Sequence, residues 1–173
     1  MKNRLLLLLV FLFSSITLTP SAYANKDKFD RNFSKLGYKE VEEAVAESKQ
    51  HFKKEIALPK EIPIPFTHIL ARFSNPEGDW NDKLEVRYVH EKTEGDDYKI
   101  EVRHIDYKLP IREEMIDEEL KLNNGTSAIY STIMYKKRNN LVFEMNGWQY
   151  ILSMDEDVSD KASEILLKVA NSI

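Results

Sequence analysis

Between Leu120 and Ile173 the hydrophobic period of the chain changes once. Up to Ser153 apolar and polar residues alternate, the period of a half-buried strand, and from Ala162 apolar residues recur at three- and four-residue spacing, the period of a helix. Asn124-Gly125 and Asn146-Gly147 each predict a two-residue hairpin loop, because a type I′ turn needs positive φ at both central positions and Asn-Gly tolerates it best. Counting outward from Asn146-Gly147 pairs Met145 with Trp148, Phe143 with Tyr150 and Leu141 with Leu152, all apolar, and sets Glu144 against Gln149 on the other face. The same counting from Asn124-Gly125 sets Leu122 opposite Ser127 and Leu120 opposite Ile129. The polar run 136–140 then returns Ile133 to Phe143 and Tyr135 to Leu141, so the expected unit is a continuous antiparallel meander. Its closing helix carries Ala162, Ile165, Leu166, Val169 and Ile173 as an apolar stripe, with cap candidates at Asp155, Glu156, Asp157 and Ser159.

Upstream, the pattern predicts a helix from Tyr38 to Lys54, with Val41, Ala44, Val45, Ser48 and Phe52 on one face and charged residues on the other. Its acids lie early and its lysines late, as the helix dipole favours. Pro59, Pro63 and Pro65 end it and impose an extended segment. Strands follow at Phe66–Phe73, Leu84–His90 and Tyr98–Ile105, the first two separated by a turn-rich stretch over 75–82. Pairing Glu85 with Arg103 and Arg87 with Glu101 selects a register in which Leu84, Val86 and Tyr88 face His104, Val102 and Ile100. Beyond Pro110, the acidic stretch 112–119 reads as a short helix or a loop before a strand at Leu120.

The first 24 residues stand apart from this pattern. Lys2 and Arg4 precede an unbroken apolar run from Leu5 to Phe13, and Ala22-Tyr23-Ala24 is an A-x-A cleavage tripeptide, the layout of a secretory signal peptide (1–24). The expected location is therefore secreted, at the extracellular face of the cell envelope, with a flexible lead over 25–37 and a single α+β domain over 38–173. No later stretch is apolar enough to span a bilayer. The chain has no cysteine, which removes both disulfides and diacylglycerol anchoring. Without Lys2 and Arg4 it carries 23 basic against 29 acidic residues, a charge of about −6, which argues against nucleic acid as a partner and leaves only local basic patches such as Lys136-Lys137-Arg138.

Candidate chemistry is sparse. His51, His68, His90 and His104 fall on separate elements, outside the close spacing of zinc sites, so neither a metal nor another cofactor is expected. Asp79 and Asn81 begin a calcium-loop pattern that fails at Lys83, and Asp155, Asp157 and Ser159 begin one that fails at Asp160. No cysteine nucleophile, G-x-S-x-G elbow, H-E-x-x-H or glycine-rich phosphate loop is present. Large rings are the distinctive residues. Trp80 stands in a turn-rich loop as a lid or a partner contact, and the meander face gathers Tyr130, Phe143, Trp148 and Tyr150, with Tyr135 and Met145 nearby, into a candidate apolar cleft.

Two stretches resemble a known family. Val41-Glu42-Glu43-Ala44 before Phe52, followed by Leu58-Pro59-Lys60-Glu61-Ile62-Pro63, resembles its opening signature, and Asn146 to Ser153 with Glu164 to Ile173 resembles its ending. The family is an extracytoplasmic domain of unknown function from spore-forming Gram-positive bacteria, often found behind a membrane helix in anti-sigma-factor-like proteins. Its similarity to the periplasmic lipoprotein-carrier fold implies a curved antiparallel sheet with helices on its concave side and a binding or sensing role. The expected architecture is thus α+β, a curved antiparallel sheet of about seven strands with N- and C-terminal helices packed on one face. The expected function is a non-catalytic binding or sensing module for a lipid, a peptide or a cell-envelope protein, with Trp80, Tyr130, Phe143, Trp148 and Tyr150 as ligand contacts. A small carboxylate-dependent hydrolase and a structural envelope or spore-associated protein are the alternatives.

Overall fold

The computed structural model describes residues 32–63, 65–74, 82–90 and 98–173. The expected signal peptide (1–24), residues 25–31 of the expected lead and the stretch carrying Asp79, Trp80 and Asn81 lie outside the described residues. Seven strands form one curved antiparallel sheet: β1 (His68–Ser74), β2 (Lys83–Val89), β3 (Tyr98–His104), β4 (Glu118–Lys121), β5 (Ser127–Ser131), β6 (Arg138–Met145) and β7 (Trp148–Asp155). Their order is β1-β2-β3-β7-β6-β5-β4, two meanders joined by a crossover that carries the chain from β3 to the far edge. Helices α1 (Val41–Phe52) and α2 (Ala162–Ala170) pack on one face, α1 over β1 and β2 and α2 over β6 and β7. The α+β expectation holds, with both helices on the predicted face.

Register is where expectation and structure divide. The β6–β7 hairpin pairs Met145 with Trp148, Phe143 with Tyr150 and Leu141 with Leu152, as predicted, and Asn146 and Gly147 both take positive φ, 52° and 73°. Asn124-Gly125 behaves differently. Leu122 N–H donates to Thr126 and Gly125 N–H donates to Leu122, so the loop has three residues, 123–125, and Gly125 has positive φ where Asn124 does not. Leu120 therefore faces Ala128 and Lys121 faces Ser127, one position away from the expected pairs. The next pairing differs more: β5 ends at Ser131, the connection runs over 132–137, and Tyr130 meets Leu141 and Ser131 meets Asn140. Ile133, expected in the sheet, is 60% exposed. The Asp117 carboxylate accepts from Thr132 N–H and Oγ1 at 2.6 and 2.7 Å, and Ser131 Oγ accepts from Met134 N–H at 3.0 Å; these local bonds end the strand early.

Between β2 and β3 the register is two residues from the charge-matched one, pairing Leu84 with Val102, Val86 with Ile100 and Tyr88 with Tyr98. Apolar alternation is identical in both registers, so it does not choose between them. Glu85 now stands opposite Glu101 and Arg87 opposite Lys99.

The core lies between the helices and one sheet face. Leu84, Val86, Ile100, Val102, Leu141, Phe143, Tyr150 and Leu152 meet Ala44, Leu166 and Val169 there. Helix α1 begins at Val41 rather than Tyr38, because Lys39 forms an antiparallel bridge with Ala71 at the β1 edge. That bridge satisfies two backbone groups of the edge strand and keeps Tyr38 out of the helix, buried against the opposite sheet face. The described end of the lead is a helical turn at 32–35, whose Phe33 ring packs edge-on against Tyr38 at 5.3 Å. Lys53, at φ 53°, ends α1, and an irregular strap continues toward β1, with Ile56, Leu58 and Ile62 packed on the core. Among the described residues, no helix is long and apolar enough to cross a membrane.

Candidate functional site

Trp148 and Tyr150 lie on the helix-bearing face, where the strap after α1 covers them, whereas Tyr135 lies on the opposite face with the Lys99 ammonium over its ring at 5.1 Å. Trp148 and Tyr150 are each 1% exposed. Being amphipathic, each needs a partner for its polar atom when buried, and the strap backbone supplies both: Trp148 Nε1–H donates to the Glu55 carbonyl at 2.8 Å and Tyr150 O–H to the Ala57 carbonyl at 3.1 Å. Burial pushes the Tyr150 phenol up to about 12, against a smaller opposing effect of its bond to Ala57. Phe143 stacks on Tyr150 at 5.1 Å, and Tyr130 O–H donates to Asn139 Oδ1 at 2.6 Å further along the sheet. Four of the five predicted residues therefore share one sheet region, while Trp80 lies outside the described residues. A broad cleft does not follow, because strap and helices fill most of that face.

A smaller opening remains at the strap's edge. Lys54, Glu55, Ile56 and Ala57 on one side and Asn146, Trp148 and Tyr150 on the other enclose about 330 Å³. A hollow of about 530 Å³ beside the last turns of α1, lined by Lys49, Gln50 and Lys53, shares Lys54 and Glu55 with it. Above the Trp148 indole the Lys54 ammonium sits 5.7 Å from the ring centroid, within cation–π range. It also packs on Gly147, where an added Cβ would overlap it. Beyond Trp148 the ring cluster continues: Phe52 stacks on His104 at 5.3 Å and meets Trp148 edge-on at 5.3 Å.

The opposite sheet face carries an ionic lattice. Glu85 and Glu101 are each 2% exposed and adjacent across the strands. Arg87 Nε and Lys83 Nζ approach Glu85 at 2.8 and 3.5 Å from the same strand, and Arg72 reaches it from β1 at 3.4 Å. Lys99 and Arg103 flank Glu101 at 2.8 and 3.3 Å, and Lys83 bridges to it at 3.3 Å. Tyr38 donates to Glu85 and carries Arg72 and Arg87 over its ring at 4.6 and 5.2 Å. Burial alone would raise the Glu85 carboxyl, but hydrogen bonds from Tyr38 and Arg87 and the charges of Arg87 and Arg72 outweigh it and hold the group at about 2. Glu101 is lowered too, its burial outweighed by Lys99, Lys83 and Arg103. This lattice escaped the sequence reading, although a signal for it exists: Lys83-Leu84-Glu85-Val86-Arg87 and Lys99-Ile100-Glu101-Val102-Arg103 are near-identical pentapeptides. Antiparallel pairing centred on the two glutamates creates a checkerboard in which each acid lies between cations. Because both acids are saturated by cations within the chain, the lattice serves as structure.

Two other constellations lead to no chemistry. His51 Nε2 lies 2.8 Å from the buried Asp82, and Ser48 stands one helical turn earlier, but Ser48 is completely buried and closed to a substrate. A hollow of about 370 Å³ under 108–111 is framed by Ile129, Val142 and Phe143, yet its polar groups already serve one another. Lys108 pairs with Glu144 at 2.8 Å, and Gln149 bonds both backbone groups of Leu109. Among the described residues no three His, Asp or Glu side chains converge as ligands for a metal ion. No family model, curated protein or solved structure matches the chain.

Proposed function

We propose that the protein is an exported, non-catalytic binding or sensing module whose ligand is apolar or amphiphilic and enters the opening between the strap and the β6–β7 hairpin. The observation that carries this reading is the opening itself. It is a pocket of about 330 Å³, at the lower end of the range for ligand sites, with Ile56, Ala57, Trp148 and Tyr150 as its apolar wall and Lys54, Glu55 and Asn146 as its polar rim. Such walls hold an alkyl chain by burial and leave orientation to the rim. The resemblance to an extracytoplasmic family of unknown function and the signal-peptide pattern support the same reading, with the ligand expected at the cell envelope. A cell-surface protein is the second partner class, favoured by Leu36, Phe66 and Ile69, three large apolar residues of the β1 side that are 60%, 39% and 38% exposed.

Native mass spectrometry of the secreted protein, followed by organic extraction of co-purifying material, tests the first reading. A retained small amphiphile, lost when Ala57→Trp fills the pocket, is the expected result. An apo mass that offered alkyl ligands leave unchanged would overturn it.

A further inference from the structure

The rim of the pocket carries an asymmetry that says which end of an amphiphile it receives. Lys54 is half-buried, and among the described residues no carboxylate pairs with its ammonium, which rests on the Trp148 ring and against Gly147. The neighbouring acid is engaged elsewhere, since Glu55 pairs with Lys49. Lys53 lines the adjoining hollow. Gly147 serves Lys54 twice: its positive φ makes the tight turn, and its missing Cβ leaves the space the ammonium fills.

We infer that the pocket binds a single-chain amphiphile with an anionic head, its tail between Ile56, Ala57 and Tyr150 and its head on Lys54, with Lys53 as the outer cation. This inference rests on the proposed binding function and adds the charge of the ligand to it. A cation over an indole face is only partly desolvated, and an arriving carboxylate or phosphate supplies the charge-assisted hydrogen bonds that the chain withholds. A cationic head would meet Lys54 directly. A neutral hydroxyl head accepts one hydrogen bond from the ammonium and brings no opposite charge.

The test compares decanoate with 1-decanol, equal in chain length and different in head charge, titrated into the protein at pH 8 below micelle formation and read by calorimetry. Decanoate should bind roughly tenfold tighter than decanol, the ratio one charge-assisted contact supports. Lys54→Met keeps the aliphatic stem over Trp148 and should bring the two ligands within about twofold of each other, while Lys54→Arg should retain the preference. Equal binding of both ligands by the unaltered protein, or a preference that survives in Lys54→Met, would overturn the anionic-head inference and leave the binding function standing. If neither ligand binds, the binding function fails and takes the inference with it.

Discussion

Replacing Glu85 with Gln should cost about 3 kcal/mol at neutral pH and progressively less in acid. The lattice holds the Glu85 carboxyl at about 2 against an ordinary 4.5. At 1.36 kcal/mol per unit, the difference corresponds to about 3 kcal/mol of folding free energy carried by the ionised form. The sign follows from the depressed value: the stabilisation is complete above about pH 4.5, falls below it as the unfolded chain takes up the proton that the folded state refuses, and is nearly gone at pH 2. At pH 3 somewhat less than half of it should remain. Gln keeps the shape and can still accept from Tyr38, so Glu85→Gln removes the charge and leaves Arg72, Lys83 and Arg87 without it. Urea unfolding of both proteins between pH 7 and pH 3 measures the difference, expected as a midpoint drop of about 1–3 M at pH 7. A cost that stays constant across this range would place the effect in packing and refute the electrostatic account.

Three further outcomes are expected. Gly125 and Gly147 both need positive φ, but an added Cβ at Gly125 meets open space whereas at Gly147 it meets Lys54. Gly125→Ala should therefore cost about 1–2 kcal/mol from conformation alone, and Gly147→Ala should cost more by thermal unfolding and shift the Lys54 resonances in NMR spectra. Tyr150→Phe removes the bond to Ala57 and should cost about 0.5–1.5 kcal/mol, with faster hydrogen exchange confined to the strap. Asn140→Leu should cost about 3 kcal/mol in chemical unfolding, because it strips partners from the Ser131 and Arg138 carbonyls and from Ser153 Oγ at a fully buried position.

The same asparagine explains why one stretch was misread. Polar residues at 136–140 look like a loop, yet Arg138, Asn139 and Asn140 are strand. Each is tied by a group distant in sequence: Arg138 to Asp155, Asn139 to Tyr130 and Asn140 to Ser153. Only pairing reveals such partners, so the composition of the segment pointed the wrong way. Where local backbone chemistry decides, as at Asn146-Gly147, register could be read correctly from the dipeptide. At Asn124-Gly125 it could not, since Asn171 Oδ1 accepts from Asn123 N–H at 2.7 Å and helps select the longer loop. The β2–β3 register turned on side-chain pairs worth about 0.2–1 kcal/mol each, and a lattice shared by five cations and two acids outweighed two direct pairs. The four described rings of the candidate site, Tyr130, Phe143, Trp148 and Tyr150, were legible as one face. Their cover was not, because the strap meets Trp148 and Tyr150 through backbone carbonyls, which no residue type in the sequence advertises, and its apolar residues Ile56, Leu58 and Ile62 follow no helix or strand period.

Under the proposed binding function, that cover also sets how large a ligand the pocket accepts. Lifting residues 54–58 would break the bonds from Trp148 and Tyr150, about 1–3 kcal/mol together, and expose Ile56 and Leu58, up to about 1.5–3 kcal/mol each. A chain that fits the existing space avoids this cost, and each added methylene should gain about 0.8 kcal/mol, close to fourfold in affinity. Once the pocket of about 330 Å³ is full, a further methylene must either remain in water or displace the strap. The gain from one or two methylenes does not offset several kcal/mol, so affinity along a series of alkyl carboxylates should rise steeply and then level off. Tyr150→Phe, which loosens the strap, should move that plateau to longer chains. Calorimetry across the series measures both effects, and a rise that continues unbroken to long chains would show that the strap yields freely and that the covered aromatic face itself is the binding surface.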